Sequence, residues 1–282
     1  MSPSVYLLIL TWNAKQTVLE CLESVAQIDY DNLHTVVIVN GSTDGTAEAL
    51  REQYGDRITL IVNPGNLRFS RGNNEGIRFA VEQRADYVML MNDDVKVDEG
   101  IIRELVAVAE SDPKIGMVGP KIYYFEPLDQ IWFAGGDVLL NRGVVRHRGI
   151  RETDHGQFDQ VSDCDYITGC AMMVRREVVE QIGVLDPAYL AYYEDTDWCM
   201  RARRAGWRIV YAPQARMWHK ISASTGGQLT RYKIRHRLRS GLIFFGRYAR
   251  FYHWLTIPVF FLGDAIRVLG LVLRGRIRSK SA

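Results

Sequence analysis

Tyr87-Val88-Met89-Leu90-Met91-Asn92-Asp93-Asp94-Val95 is the stretch on which the reading of this chain turns. Five apolar or aromatic residues follow Asp86 and run straight into Asn92, Asp93 and Asp94. An unbroken apolar run of this length, closed by polar residues, predicts a short buried strand. Open α/β sheets bind ligands beyond the carboxyl ends of such strands. Carboxylates placed there can hold a hard divalent cation, and the cation can hold a diphosphate. A solvated turn accounts for Asn and Asp equally well, so the flanking sequence must decide.

Upstream, apolar runs alternate with helical periodicity. Val5–Leu10 reads as a strand ending in Thr11-Trp12-Asn13, and Val18, Leu19, Leu22, Val25 and Ala26 then recur at helical spacing. His34–Val39 is a second strand, closed by Asn40-Gly41-Ser42-Thr43-Asp44-Gly45 before a helix from Thr46 to Tyr54. Ile58–Val62 is a third strand, followed by a loop at Asn63-Pro64-Gly65-Asn66 and a helix from Asn73 to Arg84. Such alternation predicts βαβ units, a parallel sheet and an α/β fold. Downstream, the pattern predicts a helix over Glu99–Glu110 and a strand at Gly116–Val118. Short β-like runs follow at Ile131–Ala134 and Asp137–Leu140. A strand at Ala171–Val174 and helices at Arg176–Ile182 and Glu194–Ala205 come next, then a strand at Trp207–Tyr211. From Thr230 to about Leu273 the pattern is helical, with breaks near Gly246 and Pro258.

The 282 residues are 47% hydrophobic and 24% charged, the composition of a folded globular chain with room for a large core. Cys21, Cys164, Cys170 and Cys199 form no C-x-x-C pair, which argues against a zinc site or a disulfide framework and for reduced thiols in a cytoplasmic setting. The start lacks a basic n-region, and its apolar run is too short for a signal peptide. The net charge of +2 hides an asymmetry: from Lys220 onward there are 13 Lys/Arg and one acid, Asp264. An acidic body with a basic, aromatic tail points to contact with something anionic.

Several strand-to-loop junctions supply small or polar groups: Thr11 and Asn13, Asn40 to Asp44, and Arg71-Gly72-Asn73-Asn74. Together with the Asn92–Asp94 junction they predict a mononucleotide crevice along one sheet edge. Further on, Tyr192-Tyr193-Glu194-Asp195-Thr196-Asp197-Trp198-Cys199 places three acids at a helix start. Plain dipole chemistry accounts for Asp197, four residues before Arg201. Glu194 and Asp195 follow aromatic residues; partial desolvation there would suit a general base. His219 precedes the polar run 222–227, which could fold over phosphates, and imidazole readily joins carboxylates around a divalent ion.

In these blocks the chain resembles the family-2 inverting glycosyltransferases of GT-A fold, in particular the rhamnosyltransferase-like group of bacterial polysaccharide synthesis. The resemblance runs from about Val5 to Thr225 through Thr11-Trp12-Asn13, Asn40 to Gly45 and Gly72-Asn73-Asn74-Glu75-Gly76. It continues through Asn92-Asp93-Asp94, Thr168-Gly169-Cys170-Ala171-Met172, Gly183-Val184-Leu185-Asp186, Glu194 to Asp197, and His219. It implies a central, mostly parallel sheet flanked by helices. The catalytic domain would span residues 1–227, with a nucleotide-sugar half to about 97, and a basic helical tail would follow over 228–282. It also implies that Asp94 and His219 ligate Mn²⁺ or Mg²⁺, that Asn92 and Asp93 lie at ribose and diphosphate, and that Asp195 is the base with Glu194 beside it. Thr168, Gly169, Cys170, Asp186, Asp197 and Trp198 would shape the sugar and acceptor pocket. Thr11, Asn13, Val39, Asn40, Ser42, Asp44, Arg71, Gly72 and Asn73 would meet the nucleotide sugar. Two positions depart from the family pattern. Val39 stands where an Asp usually reads the base, and Leu67-Arg68-Phe69 replaces a common Gly-Phe pair.

The reading implied is transfer of a sugar, from dTDP-rhamnose or a UDP-sugar, to a glycan or lipid-linked glycan. A sugar nucleotidyltransferase would want a glycine-rich loop near the N-terminus, and Leu10–Gln16 has no glycine. A catalytically silent nucleotide-binding or membrane-adaptor protein has Val39 in its favour. Nucleic acid is not expected, because the tail interleaves long apolar residues with its arginines rather than stacking platforms on a groove. In residues 251–273 Pro258, Asp264 and Arg267 interrupt the apolar run, which favours helices lying at the inner membrane face over a span. Packing on the catalytic domain, or on a second copy in a homodimer, remains the alternative.

Overall fold

The computed structural model describes residues 2–220 and 231–259. The polar run 222–227 and the tail beyond 259, with Asp264 and Arg267, lie outside the described residues.

The organising stretch is a strand. β4 (Tyr87–Asn92) is buried over its first five residues and opens only at Asn92. It lies parallel to β1 (Val5–Thr11), with Val5 opposite Tyr87 and Leu10 opposite Asn92. β1 is flanked on its other side by β2 (Leu33–Asn40), and β2 by β3 (Thr59–Asn63), all parallel. Three helices cover these strands: α1 (Lys15–Val25), α2 (Thr46–Tyr54) and α3 (Arg68–Glu82). α1 buries Val18, Leu19, Leu22 and Val25, one face of a 3.6-residue period. α3 instead lays small residues on the sheet. A methyl at Gly72 would come within 2.7 Å of Leu10, and one at Gly76 within 2.9 Å of Ile38, so these glycines set how closely the helix approaches. α3 begins five residues before the expected Asn73, because the Asn66 side chain accepts from the Arg68 amide at 2.8 Å and starts the turn early.

Beyond β4 the sheet stops being parallel. The chain passes β5 (Val95–Val97), α4 (Ile101–Glu110), β6 (Ile115–Tyr124), β7 (Ile131–Phe133), the hairpin β8 (Gly136–Leu139) and β9 (Val144–His147), and β10 (Ser162–Asp163). β11 (Ala171–Arg175) returns antiparallel beside β4, and β6 is antiparallel to β11. After α5 (Arg176–Ile182) and α6 (Glu194–Arg204), β12 (Arg208–His219) lies parallel to β6. The order across the sheet is β10-β12-β6-β11-β4-β1-β2-β3. The expected parallel sheet therefore holds for β3, β2, β1 and β4 and gives way to mixed pairing where the chain re-enters from the insert at 125–170. β6 and β12 run far past the expected Gly116–Val118 and Trp207–Tyr211. Their register shifts between Ala212 and Arg216, so Pro213-Gln214-Ala215 forms a bulge within a strand.

The insert is held by charge. Lys121 of β6 is fully buried, and its ammonium reaches Asp154 at 2.8 Å and Asp159 at 2.5 Å. The Tyr123 hydroxyl donates to the same Asp154 carboxylate at 2.6 Å.

α7 (Arg231–Tyr248) passes through Gly246, and the break expected there falls at residues 249–250, before a second helix over 251–259 that contains Pro258. α7 packs on the body rather than standing apart from it. Phe244, Phe245 and Tyr248 form a small core with Tyr189. Its other face leaves Leu238 and Leu242 exposed. No helix among the described residues is long and apolar enough to cross a membrane. The four cysteines are buried and unpaired.

Candidate active site

The carboxyl end of β4 and the end of β12 meet through β5. β5 pairs antiparallel with β12, placing His219 opposite Val95, and the Lys220 amide donates to the Asp94 carbonyl at 2.8 Å. The result is that His219 Nε2 donates to Asp94 Oδ1 at 3.1 Å although 125 residues separate them. Burial disfavours the imidazolium, but the neighbouring Cys170 and the Asp94 carboxylate outweigh it and push its pKa up to about 10. Asp93 is desolvated; the Thr11 hydroxyl opposes that and the Asp94 charge adds to it, and its pKa is pushed up to about 6.

The Thr168-Gly169-Cys170 turn joins this end of the sheet to α6. The Asn92 amide donates to the Cys170 carbonyl at 3.0 Å, and the Gly169 amide donates to Asp195 Oδ2 at 2.8 Å. Asp195 Oδ1 accepts from the Thr196 amide at 2.6 Å and from its hydroxyl at 3.1 Å. The carboxylate is thus oriented from both sides and remains partly open to solvent. Glu194 is buried, with Oε2 lacking a hydrogen-bond partner. Desolvation, reinforced by Asp195, pushes its pKa up to about 8, so it holds its proton at neutral pH.

A third wall was not read from the sequence. Trp132 sits edge-on to His219 at 4.7 Å and to His147 at 4.6 Å between ring centroids. His147 Nδ1 donates to the Trp132 carbonyl at 3.1 Å, and burial lowers its pKa. Tyr166, fully desolvated on the insert side, lies 6.0 Å from Phe133. The only sequence signal was the aromatic run Ile131-Trp132-Phe133 within the glycine-rich insert.

The nucleotide half is a set of knitted loops. Asn13, at φ 47°, accepts from the Thr43 amide at 2.8 Å, and its own amide donates to Ser42 Oγ at 2.9 Å. Asp44 accepts from the Lys15 amide at 3.0 Å and from Thr46, tying the first two loops together. Arg71 is exposed on α3.

Seven of the expected site residues are engaged within the fold itself. Val39 is wholly buried in the sheet core and offers nothing to a base. Asn40 spends its side chain on Asn63, Asn66 and the Leu67 amide, tying β2 to the next loop. Asn73 is buried and donates to Phe69 in its own helix. Asp197 is fully buried and bonded to Arg201, Arg247, Tyr189 and Tyr248, so it lines no pocket. Trp198 is fully buried, its ring N–H donating to the Gly183 carbonyl at 2.8 Å. Asp186 caps Ala188 and pairs with Arg247 at 2.6 Å. Gly72 serves the close approach of α3.

The sequence profile described as glycosyltransferase like family 2 matches residues 3–239. The chain belongs to that family. It is 28% identical over 208 residues to the low-salt glycan biosynthesis hexosyltransferase Agl10 of Haloferax volcanii, covering 69% of this chain and 65% of that one. It is 29% identical over 205 residues to the N-acetylglucosaminyl-diphospho-decaprenol L-rhamnosyltransferase of Mycobacterium tuberculosis, covering 66% of each chain. The chain spans between 26% and 66% of the length of the first curated relatives it matches. Its fold is that of a mannosyltransferase from Pyrobaculum calidifontis solved with GDP-Man and Mn²⁺, with a TM-score of 0.62 at 16% identity, covering 98% of this chain and 80% of that one. The GT-A architecture, a mixed α/β sheet flanked by helices, is thereby established.

Proposed function

We propose that this chain is an inverting, metal-dependent glycosyltransferase that moves a sugar from a nucleotide-diphosphate sugar to a hydroxyl of a glycan or lipid-linked glycan. The observation that carries the reading is the Thr168–Cys170 turn, which ties the orienting hydrogen bond of Asp195 to the strand end bearing Asn92, Asp93 and Asp94. A base and an anion-handling pair on opposite sides of one turn are what an in-line displacement at an anomeric carbon requires.

The donor set suits a hard divalent cation. Asp94 supplies a carboxylate oxygen, and His219 turns Nε2 toward it at 3.1 Å, so a cation would take the place of the proton between them. Among the described residues no group of three or more such side chains gathers, so substrate oxygens and water would complete a Mn²⁺ or Mg²⁺ shell. When bound, the cation supplies charge neutralisation for a departing diphosphate. His219 must shed its proton to ligate, so the cation competes with the proton that Cys170 and Asp94 help to hold there.

The chain's own groups do the rest. Asp195 takes the proton of the acceptor hydroxyl, whose oxygen attacks the anomeric carbon as the bond to the diphosphate breaks on the far side. Glu194, protonated at neutral pH, leaves Asp195 as the base. Asn13, Ser42 and Asp44 shape the nucleotide floor, and Arg71 lies on its rim. The relatives' names, a rhamnosyltransferase and a hexosyltransferase, support dTDP-rhamnose or a UDP-sugar as donor, and Val39 withdraws the usual acidic contact to the base. Exposed Leu238, Leu242, Phe251, Leu255 and Val259 share residues 231–259 with Arg239, Arg247 and Arg250, each of which would contribute about 1 kcal/mol at an anionic bilayer, which supports peripheral membrane contact.

The test is nucleotide release from a panel of dTDP-, UDP-, GDP- and CDP-sugars with Mn²⁺, with and without a polyprenyl-diphosphate-linked glycan. Acceptor-dependent release from one donor supports the reading. No release from any donor, with nucleotide still bound, would instead favour a silent binding protein.

A further inference from the structure

We propose that α7 is a clamp on the catalytic loop, and that Phe244 and Arg247 are positioning residues that hold Asp195 in place. The inference rests on Asp195 being the base.

The loop before α6 is strained. Tyr192 and Tyr193 adopt left-handed backbone conformations in succession, with φ of 68° and 70°. Bulky L-residues adopt this region only when their surroundings over-determine it. Tyr193 is also the residue from which α6 starts, and its carbonyl accepts from the Asp197 amide at 2.8 Å. If Tyr193 relaxes, the first turn of α6, which carries Glu194 and Asp195, moves with it.

The restraint comes mainly from α7. The Tyr193 ring stacks on Phe244 at 5.2 Å between centroids and meets Phe245 edge-on at 6.0 Å. A methyl added at Gly241 would lie 3.7 Å from the same ring, so the helix backbone runs directly against it. Ser240 Oγ donates to the Ala191 carbonyl at 2.7 Å, and Arg239 donates to the Ala188 carbonyl at 3.2 Å. At the far end Arg247 bridges Asp186 at 2.6 Å and Asp197 at 3.2 Å, joining the two ends of the loop. Tyr248 donates to the same Asp197 carboxylate at 2.9 Å. Each turn of α7 over 239–248 thus holds a different point of the segment 186–197. The opposite face of that helix leaves Leu238 and Leu242 exposed. Whatever the outer face meets therefore acts on an element whose inner face sets the base.

The test uses the full chain with Arg247→Gln and Arg247→Lys, at a side chain 40% exposed, and with Phe244→Ala and Phe244→Leu. Hydrogen exchange is read peptide by peptide, beside transferase kinetics with whichever donor of the panel is turned over. Exchange over 189–197 is expected to quicken at least tenfold in Arg247→Gln and Phe244→Ala, with the 87–94 peptide unchanged. The kcat should fall at least tenfold with donor KM within twofold, and Phe244→Leu and Arg247→Lys should recover part of it. Unchanged exchange over 189–197, or equal quickening of 87–94, overturns the clamp. So does a donor KM that rises in step with the loss of kcat. The exchange arm decides the clamp even if the wild-type chain transfers no sugar, an outcome that would sink only the functional reading.

Discussion

Glu194 offers a test of the division of labour between two adjacent carboxylates. Its pKa rises from 4.5 to about 8, first through desolvation and then through the neighbouring Asp195. A carboxyl raised in the fold binds its proton more tightly folded than unfolded. Stability is therefore unaffected below the unfolded value, falls as pH climbs past 4.5, and reaches its floor once pH exceeds about 8. One pH unit of such a rise is worth ~1.4 kcal/mol, which puts the full penalty at up to ~4–5 kcal/mol. Glu194→Gln keeps the shape and cannot ionise. Thermal melts of both proteins from pH 5 to pH 9 should nearly coincide at pH 5. At pH 9 the variant should melt higher by several degrees and up to ~20 °C, taking ~2–4 °C per kcal/mol for a chain of this size. Because Glu194 is already neutral at pH 7, the same variant should keep turnover within tenfold. Parallel melting curves at every pH would refute the desolvated, protonated Glu194. Loss of turnover as deep as for Asp195→Asn would refute its exclusion from the base role.

Other outcomes are as definite. Asp195→Asn should leave donor binding nearly intact and cut kcat by roughly 10²–10⁴-fold, measured by nucleotide release; near wild-type turnover would remove Asp195 from the mechanism. Asp94→Ala and His219→Ala should each weaken donor binding in Mn²⁺, by calorimetry, while sparing the bare nucleoside; activity that survives EDTA counts against the metal. Lys121→Met leaves Asp154 facing the interior without its cation and should lower stability by ~2–4 kcal/mol in urea titrations, less than a wholly buried pair because Asp159 is 44% exposed. Replacing exposed Leu238, Leu242, Phe251 and Leu255 by Ser should abolish co-sedimentation with anionic liposomes; undiminished binding would place any membrane contact elsewhere.

The nucleotide half was legible because its order is local. β1, β2 and β4 are apolar runs that end in polar turns, and α2 starts at Thr46 and ends at Tyr54 as the flanking turn residues and Gly55 dictate. The insert was not, because its order is bought at long range. Lys121 reads as a surface lysine in any window of sequence, and only the two aspartates more than thirty residues on make it a buried post. Trp132 reaches the site on β7, paired with β6, and His147 on β9, so no local pattern marks them as neighbours of His219.

Within the site, the acids show where spacing informs and where it misleads. Asp195 and Asp197 are two apart on α6, about 200° around the axis, so they cannot serve one pocket. The helix turns one toward the Gly169 amide and the other into the cluster of Arg201, Arg247 and two tyrosines. Pairing Asp197 with Arg201 was readable from the i,i+4 spacing; its partners on α7 were not. The Asp94–His219 pair is the opposite case. No spacing rule joins residues 125 apart, and the resemblance of the motif blocks alone pointed there. The structure supplies the physical reason in three residues, Val95–Val97. This short strand turns back after the acidic junction and docks antiparallel on the last three residues of β12, Met217 to His219. Without it Asp94 would end a strand in open solvent, and His219 would be a buried imidazole among aromatic rings with no carboxylate to meet.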